Sequence, residues 1–149
     1  MRPVPALAVM ALLAGCAAPP PPPATPAPPA PAAYECILPT EQRMLVAELF
    51  FGRDRAGRKL VNDAEWGDFL TKAITPNFPD GLTVFDGYGQ WRNPETGIIG
   101  HSPHVKIVLI AVKRSPELPG RLNAVMDAYK ARFQQQSVGL ITRDSCAAF

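Results

Sequence analysis

Residues 17–33 restrict where this chain can build a folded core, because nine of these seventeen residues are proline. Proline fixes φ and has no backbone N–H, so such a run cannot form the ladders of a helix or a sheet. The segment is expected to be a disordered or polyproline II linker, with a reach of roughly 50 Å at about 3.1 Å per residue. The folded part is therefore expected at residues 34–149, which is a suitable length for one domain.

The N-terminus has the pattern of a short secretory segment that ends at a cysteine. Arg2 supplies a positive charge, residues 3–13 are mainly apolar, and small residues precede Cys16. The apolar run is about half of the roughly 20 residues that a spanning helix needs, which favours cleavage over a retained anchor. Leu13-Ala14-Gly15-Cys16 resembles the lipobox of bacterial lipoproteins. The resemblance implies a signal peptide at residues 1–15 and lipid attachment at Cys16.

Lipid attachment would determine where the protein works. More than one acyl chain anchors a protein firmly, whereas a single chain binds a membrane only marginally. Ala17 follows Cys16, at the position where Gram-negative lipoproteins retained in the inner membrane usually have Asp. The expected location is the periplasmic face of the outer membrane. The alternative is an ordinary signal peptide with an incidental cysteine.

The charge balance argues against nucleic acid as a partner. The chain has 15 Lys and Arg and 13 Asp and Glu, and loss of Arg2 with the signal peptide would leave 14 basic side chains. A nearly neutral chain has little attraction for a phosphate backbone. The densest basic segment is typical of a solvated loop, and it comprises Arg53, Arg55, Arg58 and Lys59.

Four segments of the domain are predicted to be strands: residues 43–51, 82–91, 105–112 and 138–143. The first and third are apolar on both alternations except at Glu48 and Lys106, as in strands at the centre of a sheet. Gly87 and Gly89 in the second predict a bulge or a close backbone approach. Residues 93–103 are rich in Gly and Pro, which predicts a hairpin connection.

Two helices are predicted between these strands. Asn62 is a good N-cap, and the apolar stripe that follows includes Trp66, which is interpreted as a core residue, before Thr75-Pro76 ends the helix. The second helix begins near Ser115 and ends near residues 134–137. Its apolar stripe consists of Leu118, Leu122, Val125, Met126, Tyr129 and Phe133.

This order of elements predicts an α+β domain with the ferredoxin-like βαββαβ pattern. Its four-stranded antiparallel sheet would have the order 4-1-3-2, with both helices on one face. That order places the start of the first strand beside the end of the fourth, which brings Cys36 and Cys146 to one corner. Because secretion implies an oxidising compartment and Cys16 is expected to carry lipid, a Cys36–Cys146 disulfide is predicted.

Four short motifs occur within residues 43–143: Phe50-Phe51-Gly52, Trp66-x-x-Phe69, Ile74-Thr75-Pro76-x-Phe78-Pro79-x-Gly81-Leu82-Thr83-Val84 and Gly89-Gln90-Trp91. Together they resemble the bacterial domain-of-unknown-function family 3574. The resemblance implies an association with lipoproteins, but it brings no assigned activity and no catalytic residues.

Five residues are candidates for ligand binding. Asp86, His101 and His104, with Glu48 as an additional carboxylate, could bind a divalent metal or move protons, although ordinary loop histidines are the simpler interpretation. Gln90 and Trp91 combine an amide with an aromatic ring and could line a pocket, although packing in the hairpin is the simpler role. No catalytic residue, metal or cofactor is assigned, since the sequence has no nucleophile elbow, phosphate-binding glycine loop or Cys-His cluster.

The two-sided strands leave one sheet face without helices. Leu45, Ala47, Leu49 and Phe51 are expected to face the helices, and Met44, Val46 and Phe50 to lie on the other face. On the third strand, either Val108, Ile110 and Val112 or the opposite set faces the helices. The uncovered face is expected to form a homodimer or to bind an apolar ligand or protein.

Two function classes follow from these patterns. The favoured one is a non-enzymatic, lipid-anchored binding or assembly module of the periplasm. The alternative is a small cofactor-independent enzyme that resembles dimeric ferredoxin-like monooxygenases or isomerases, with a pocket near Trp66, Trp91 and His104.

Overall fold

The computed structural model describes residues 35–54 and 60–149, and no side-chain placement is described for Pro103. The described residues belong to the compact unit Tyr34–Phe149. The predicted signal peptide, Cys16 and the predicted linker lie outside them, as do residues 55–59 of the basic segment. Among the described residues, none of the helices is both long enough and apolar enough to span a membrane.

The domain has the α+β architecture that the sequence predicts, with an antiparallel sheet and two helical bodies. The strands are β1 (Gln42–Phe51), β2 (Thr83–Arg92), β3 (Ile99–Val112) and β4 (Gly139–Ala147). They are hydrogen-bonded in the order β2-β3-β1-β4, and every neighbouring pair is antiparallel. The central positions of β1 and β3 are therefore confirmed, as expected for strands with two apolar faces.

The first helical body is longer and less regular than predicted. It consists of α1 (Asp63–Phe69), a π-helical segment (Leu70–Ile74) and α2 (Thr75–Asn77). Asn62 caps α1 as predicted, and it forms a capping box with Glu65. The helix continues past Thr75-Pro76, contrary to the prediction, because Pro76 lies in the first turn of α2, where its missing N–H costs little. The second body is α3 (Leu118–Phe133).

The predicted hairpin connection at residues 93–103 is wrong for its second half. β3 begins at Ile99, which pairs with Arg92, so the connection between the strands is only residues 93–98. The Asn93 side chain accepts hydrogen bonds from two backbone N–H groups of this turn. Gly100 and Pro103 suggested a loop, but Gly100 pairs with Trp91. Pro103 lies at a register shift between Gly87 and Gly89, where an irregular strand tolerates it. That shift confirms the predicted bulge.

The core lies between the helices and one face of the sheet. All four β1 residues expected to face the helices are buried, which confirms that prediction. On β3 the buried set is Val108, Ile110 and Val112, which settles the choice that the sequence left open. The aromatic residues of the core are Phe51, Trp66, Phe69, Tyr129 and Phe133.

The predicted Cys36–Cys146 disulfide is confirmed. The two Cα atoms lie 5.6 Å apart, within the range that a disulfide requires. The pairing follows from the register, because Arg43 near the start of β1 lies opposite Cys146 near the end of β4. The bond thus ties the segment before β1 to the last strand.

Candidate functional site

A cleft of about 390 Å³ opens on the helix-bearing side of the sheet, where β1 ends and α1 begins. Asp86 of β2 lies opposite Lys106 of β3, two residues along from the Val84–Val108 pair. Because side chains alternate along a strand, Asp86 and Lys106 share the face of the buried Val108. The residues that line the cleft are Arg53, Leu60, Asn62, Asp63, Asp86, His104 and Lys106.

Arg53 is a buried cation in this cleft, with only 6% of its surface exposed. Its Nε donates a hydrogen bond to the Val61 carbonyl, and its Nη1 lies 2.9 Å from Asp63 Oδ1. The backbone N–H donates to Ser102 Oγ at 3.4 Å. The guanidinium is therefore held by Val61 and Asp63 near the start of α1, while the Arg53 backbone is bonded to β3.

Lys106 is the second cation of the cleft. Its Nζ lies 2.5 Å from Asp86 Oδ1, and its side chain is 13% exposed, against 69% for Asp86. The hydrogen bond from Lys106 is the main reason that the pKa of Asp86 lies below its ordinary value, and the positive charge of Arg53 and the nearby His104 act in the same direction. Asp86 is thus an ionised acceptor at neutral pH.

The structure brings together two of the five predicted ligand-binding residues. Asp86 and His104 both line the cleft. His101 instead lies on the outer part of the β2–β3 hairpin, with its Nδ1 2.9 Å from the Tyr88 hydroxyl, and Gln90 is its direct cross-strand neighbour. Trp91 lies opposite Gly100 and is 56% exposed.

The proposed metal or proton-transfer group is not assembled. Glu48 pairs with Arg143 at 2.8 Å on the other face of the sheet. Within residues 35–54 and 60–149, the acidic, His and Cys side chains close enough to share one ion are those of Cys36, Glu41 and Cys146. The disulfide occupies both of those sulfur atoms.

Of the three residues suggested for an enzyme pocket, Trp66, Trp91 and His104, the described cleft is lined by His104 alone. Trp66 is buried in the core, as predicted, with its ring centroid 5.3 Å from that of Phe51. Trp91, in contrast, is largely exposed on the hairpin. The apolar side chains of α1 therefore pack in the core.

The sheet face without helices, called here the open face, is mainly apolar. Its half-exposed members include Phe85 on β2 and Ile141 on β4, and the Glu48–Arg143 ion pair lies among them. The register places on this face Met44, Val46, Glu48 and Phe50 of β1, Val105, Ile107, Leu109 and Ala111 of β3, and Ile141 and Arg143 of β4.

On β2, two glycines leave room for apolar side chains of the open face. A Cβ atom at Gly89 would lie 2.9 Å from Val105 Cγ2, and one at Gly87 would lie 3.1 Å from Ile107 Cδ1. The missing side chains therefore let Val105 and Ile107 lie against β2. The approach is made by side chains, whereas the glycine pattern predicted a bulge or a close approach by another backbone.

Comparisons with known proteins give a family and a fold. No curated protein matches the sequence. A phage SAM lyase in complex with S-methyl-5'-thioadenosine is similar in structure, with a TM-score of 0.54, 13% identity, and coverage of 71% of this chain and 90% of that one. A phage SAM lyase in the apo state has a TM-score of 0.50 and 16% identity, with coverage of 78% and 97%.

At such low identity these likenesses show the fold alone. The family evidence comes from the sequence, because the model of a family described as "Protein of unknown function (DUF3574)" matches residues 46–149. The match covers more than half of the chain and includes most of β1, all the later elements and the cleft. The chain therefore belongs to the DUF3574 family of proteins of unknown function.

Proposed function

We propose that this protein is a lipid-anchored assembly module of the bacterial envelope, with a ferredoxin-like domain whose open face binds a second copy of the chain. The observation that carries the proposal is the apolar composition of the open face. Phe85 and Ile141 are half-exposed there, whereas the buried core lies on the helix-bearing face. Contiguous apolar surface of this kind is typical of an interaction site.

The shape of the surface suits a second sheet. Two sheets pack face to face about 10 Å apart, with their inward side chains interdigitated. In a twofold dimer the same patch is used by both copies, so the patch must be complementary to itself. An apolar surface meets that condition readily, and any charges on it must occur as an acid and a base.

The charges on the open face fulfil this requirement. Glu48 lies on the central strand β1 and is 21% exposed, and Arg143 Nη2 lies 2.8 Å from its Oε1. Arg143 is the β4 neighbour of Val46, so the acid and the base are two positions apart along β1. A twofold axis between them would bring Glu48 of each copy to Arg143 of the other. This arrangement favours a second copy over an apolar small molecule as the occupant.

Charge reversal tests the dimer. Glu48→Arg and Arg143→Glu each place like charges within and across the interface, so each variant is expected to be monomeric. Mixing the two variants should restore a dimer, because each reversed residue then meets its opposite charge in the other copy. The measurement is the molar mass by light scattering and native mass spectrometry, with the full chain carrying Cys16→Ser to remove the expected acylation site.

The ion pair Asp127–Lys130 on α3 provides the matched control. Asp127→Arg and Lys130→Glu should both remain dimeric, since α3 lies on the other side of the sheet. Circular dichroism checks that all variants are folded. A wild-type monomer would contradict the proposal, as would a mixture of the two open-face variants that stays monomeric, because the ion pair would then act only within one copy.

Lipid anchoring is tested by labelling. In cells fed a palmitate analogue, the wild-type chain is expected to carry label and to sediment with membranes, since Cys16 follows a lipobox-like sequence. Cys16→Ser should lose both properties, whereas Cys146→Ser should keep them. Label that persists in Cys16→Ser, or is missing from the wild type, would contradict the assignment.

A further inference from the structure

We infer that the cleft lined by Arg53, His104 and Lys106 binds a small, freely diffusing molecule that carries a phosphate group. This site lies on the helix-bearing side of the sheet, whereas the proposed dimer uses the open face. The inference is therefore independent of the proposed function. It rests on how charge and burial are distributed among the cleft residues.

The cations of the cleft are buried and its acids are exposed. The side chains of Arg53 and Lys106 are 8% and 13% exposed, whereas those of their partners Asp63 and Asp86 are 86% and 69% exposed. The bond from Arg53 Nε to the Val61 carbonyl also keeps the guanidinium in place. Each carboxylate, in contrast, can turn into solvent with little loss.

This asymmetry favours exchange of the acids for a ligand. An ion pair with an exposed carboxylate contributes little, because water competes for the acid. Two cations that the protein has already desolvated and oriented gain more from one anion that contacts both. Neither aspartate is paired with both cations, whereas the oxygens of a phosphate group could engage the two together.

The Asp86 carboxylate shares the cleft with all three basic groups. Its pKa is lowered mainly by the hydrogen bond from Lys106, and charge effects from Arg53 and His104 add to it. An anion at that carboxylate position would therefore interact with all three basic groups. The volume of about 390 Å³ lies within the usual range for small-molecule sites.

Titration calorimetry with inorganic phosphate, at constant ionic strength and with the full chain carrying Cys16→Ser, tests the inference. Lys106→Gln removes a charge-assisted hydrogen bond and should weaken phosphate binding about tenfold or more. Asp86→Asn removes the competing acid and should tighten binding about two- to fivefold. Lys130→Gln, on a partly buried lysine of α3 that does not line the cleft, is the control and should leave the affinity unchanged.

The acid variant separates a binding site from a purely structural ion pair. If the Lys106–Asp86 pair serves only the fold, Asp86→Asn lowers the melting temperature and gains no affinity for phosphate, which would overturn the inference. Equal phosphate binding by Lys106→Gln and the wild type would also overturn it. Flotation with phosphatidic acid vesicles distinguishes the source of the phosphate, and binding to vesicles without binding to inorganic phosphate would contradict a freely diffusing ligand.

Discussion

Replacement of both Cys36 and Cys146 by alanine is expected to lower the free energy of unfolding by about 4–5 kcal/mol. The disulfide closes a loop with a sequence separation of 110 residues. In the chain-entropy model, closing a loop of about this length raises the free energy of the unfolded chain by about 4–5 kcal/mol. Any strain in the folded state reduces this stabilisation. Domains of this size are usually stable by only about 5–15 kcal/mol, so the double variant should be marginally folded.

Urea unfolding at one fixed protein concentration measures this effect, since association would otherwise change the apparent stability. The reduced wild-type protein should match the alanine double variant, because both lack the bond. Cys16→Ser should unfold at the same urea concentration as the wild type. A loss below about 1 kcal/mol would mean that the unfolded chain is already compact without the disulfide.

Phe51→Ala is expected to cost about 3–5 kcal/mol, the usual range for removing a buried aromatic side chain. Phe51 is completely buried at the end of β1. Its ring centroid lies 5.3 Å from that of Trp66, 6.1 Å from Phe69 and 4.8 Å from Tyr129. The substitution would leave a cavity bounded by three rings on both helical bodies, and these cannot all move inward together.

Phe149→Ala is the matched control for this change, because Phe149 is fully exposed. It removes the same atoms and should alter the unfolding free energy by less than about 0.5 kcal/mol. Denaturant unfolding with both tryptophan fluorescence and circular dichroism provides the measurement. If Phe51→Ala cost no more than Phe149→Ala, the aromatic cluster would not be the centre of the core.

Much of the fold could be predicted because several local sequence patterns also indicate where an element lies in the tertiary structure. Apolar residues on both alternations of β1 and β3 predicted their central positions, and Asn62 predicted the start of α1. The hairpin and the end of the first helix were predicted wrongly for a common reason. Gly100, Pro103 and Pro76 disfavour regular structure locally, but strand pairing and helix register overrode that preference.

The candidate site was less predictable than the fold. Asp86 and His104 were identified, but Arg53 and Lys106 were not, although they are the buried charges of the cleft. Arg53 was grouped with a solvated basic loop, whereas it is 6% exposed. Lys106 did carry a usable signal, since it is the one polar residue in the otherwise apolar segment 105–112. That Asp86 is the partner of Lys106 became clear only from the β2–β3 register.

Residue patterns alone predict the linker and the lipid site, and they determined the α+β class and the β1 face that packs against the helices. Each of these depends on composition or on periodicity within one segment. The three-dimensional path of the chain decides which β3 set is buried, where Glu48 lies relative to Asp86, and which cations share a cleft. These outcomes depend on the register between strands far apart in sequence. A shift of one residue would move every side chain to the other face of the sheet.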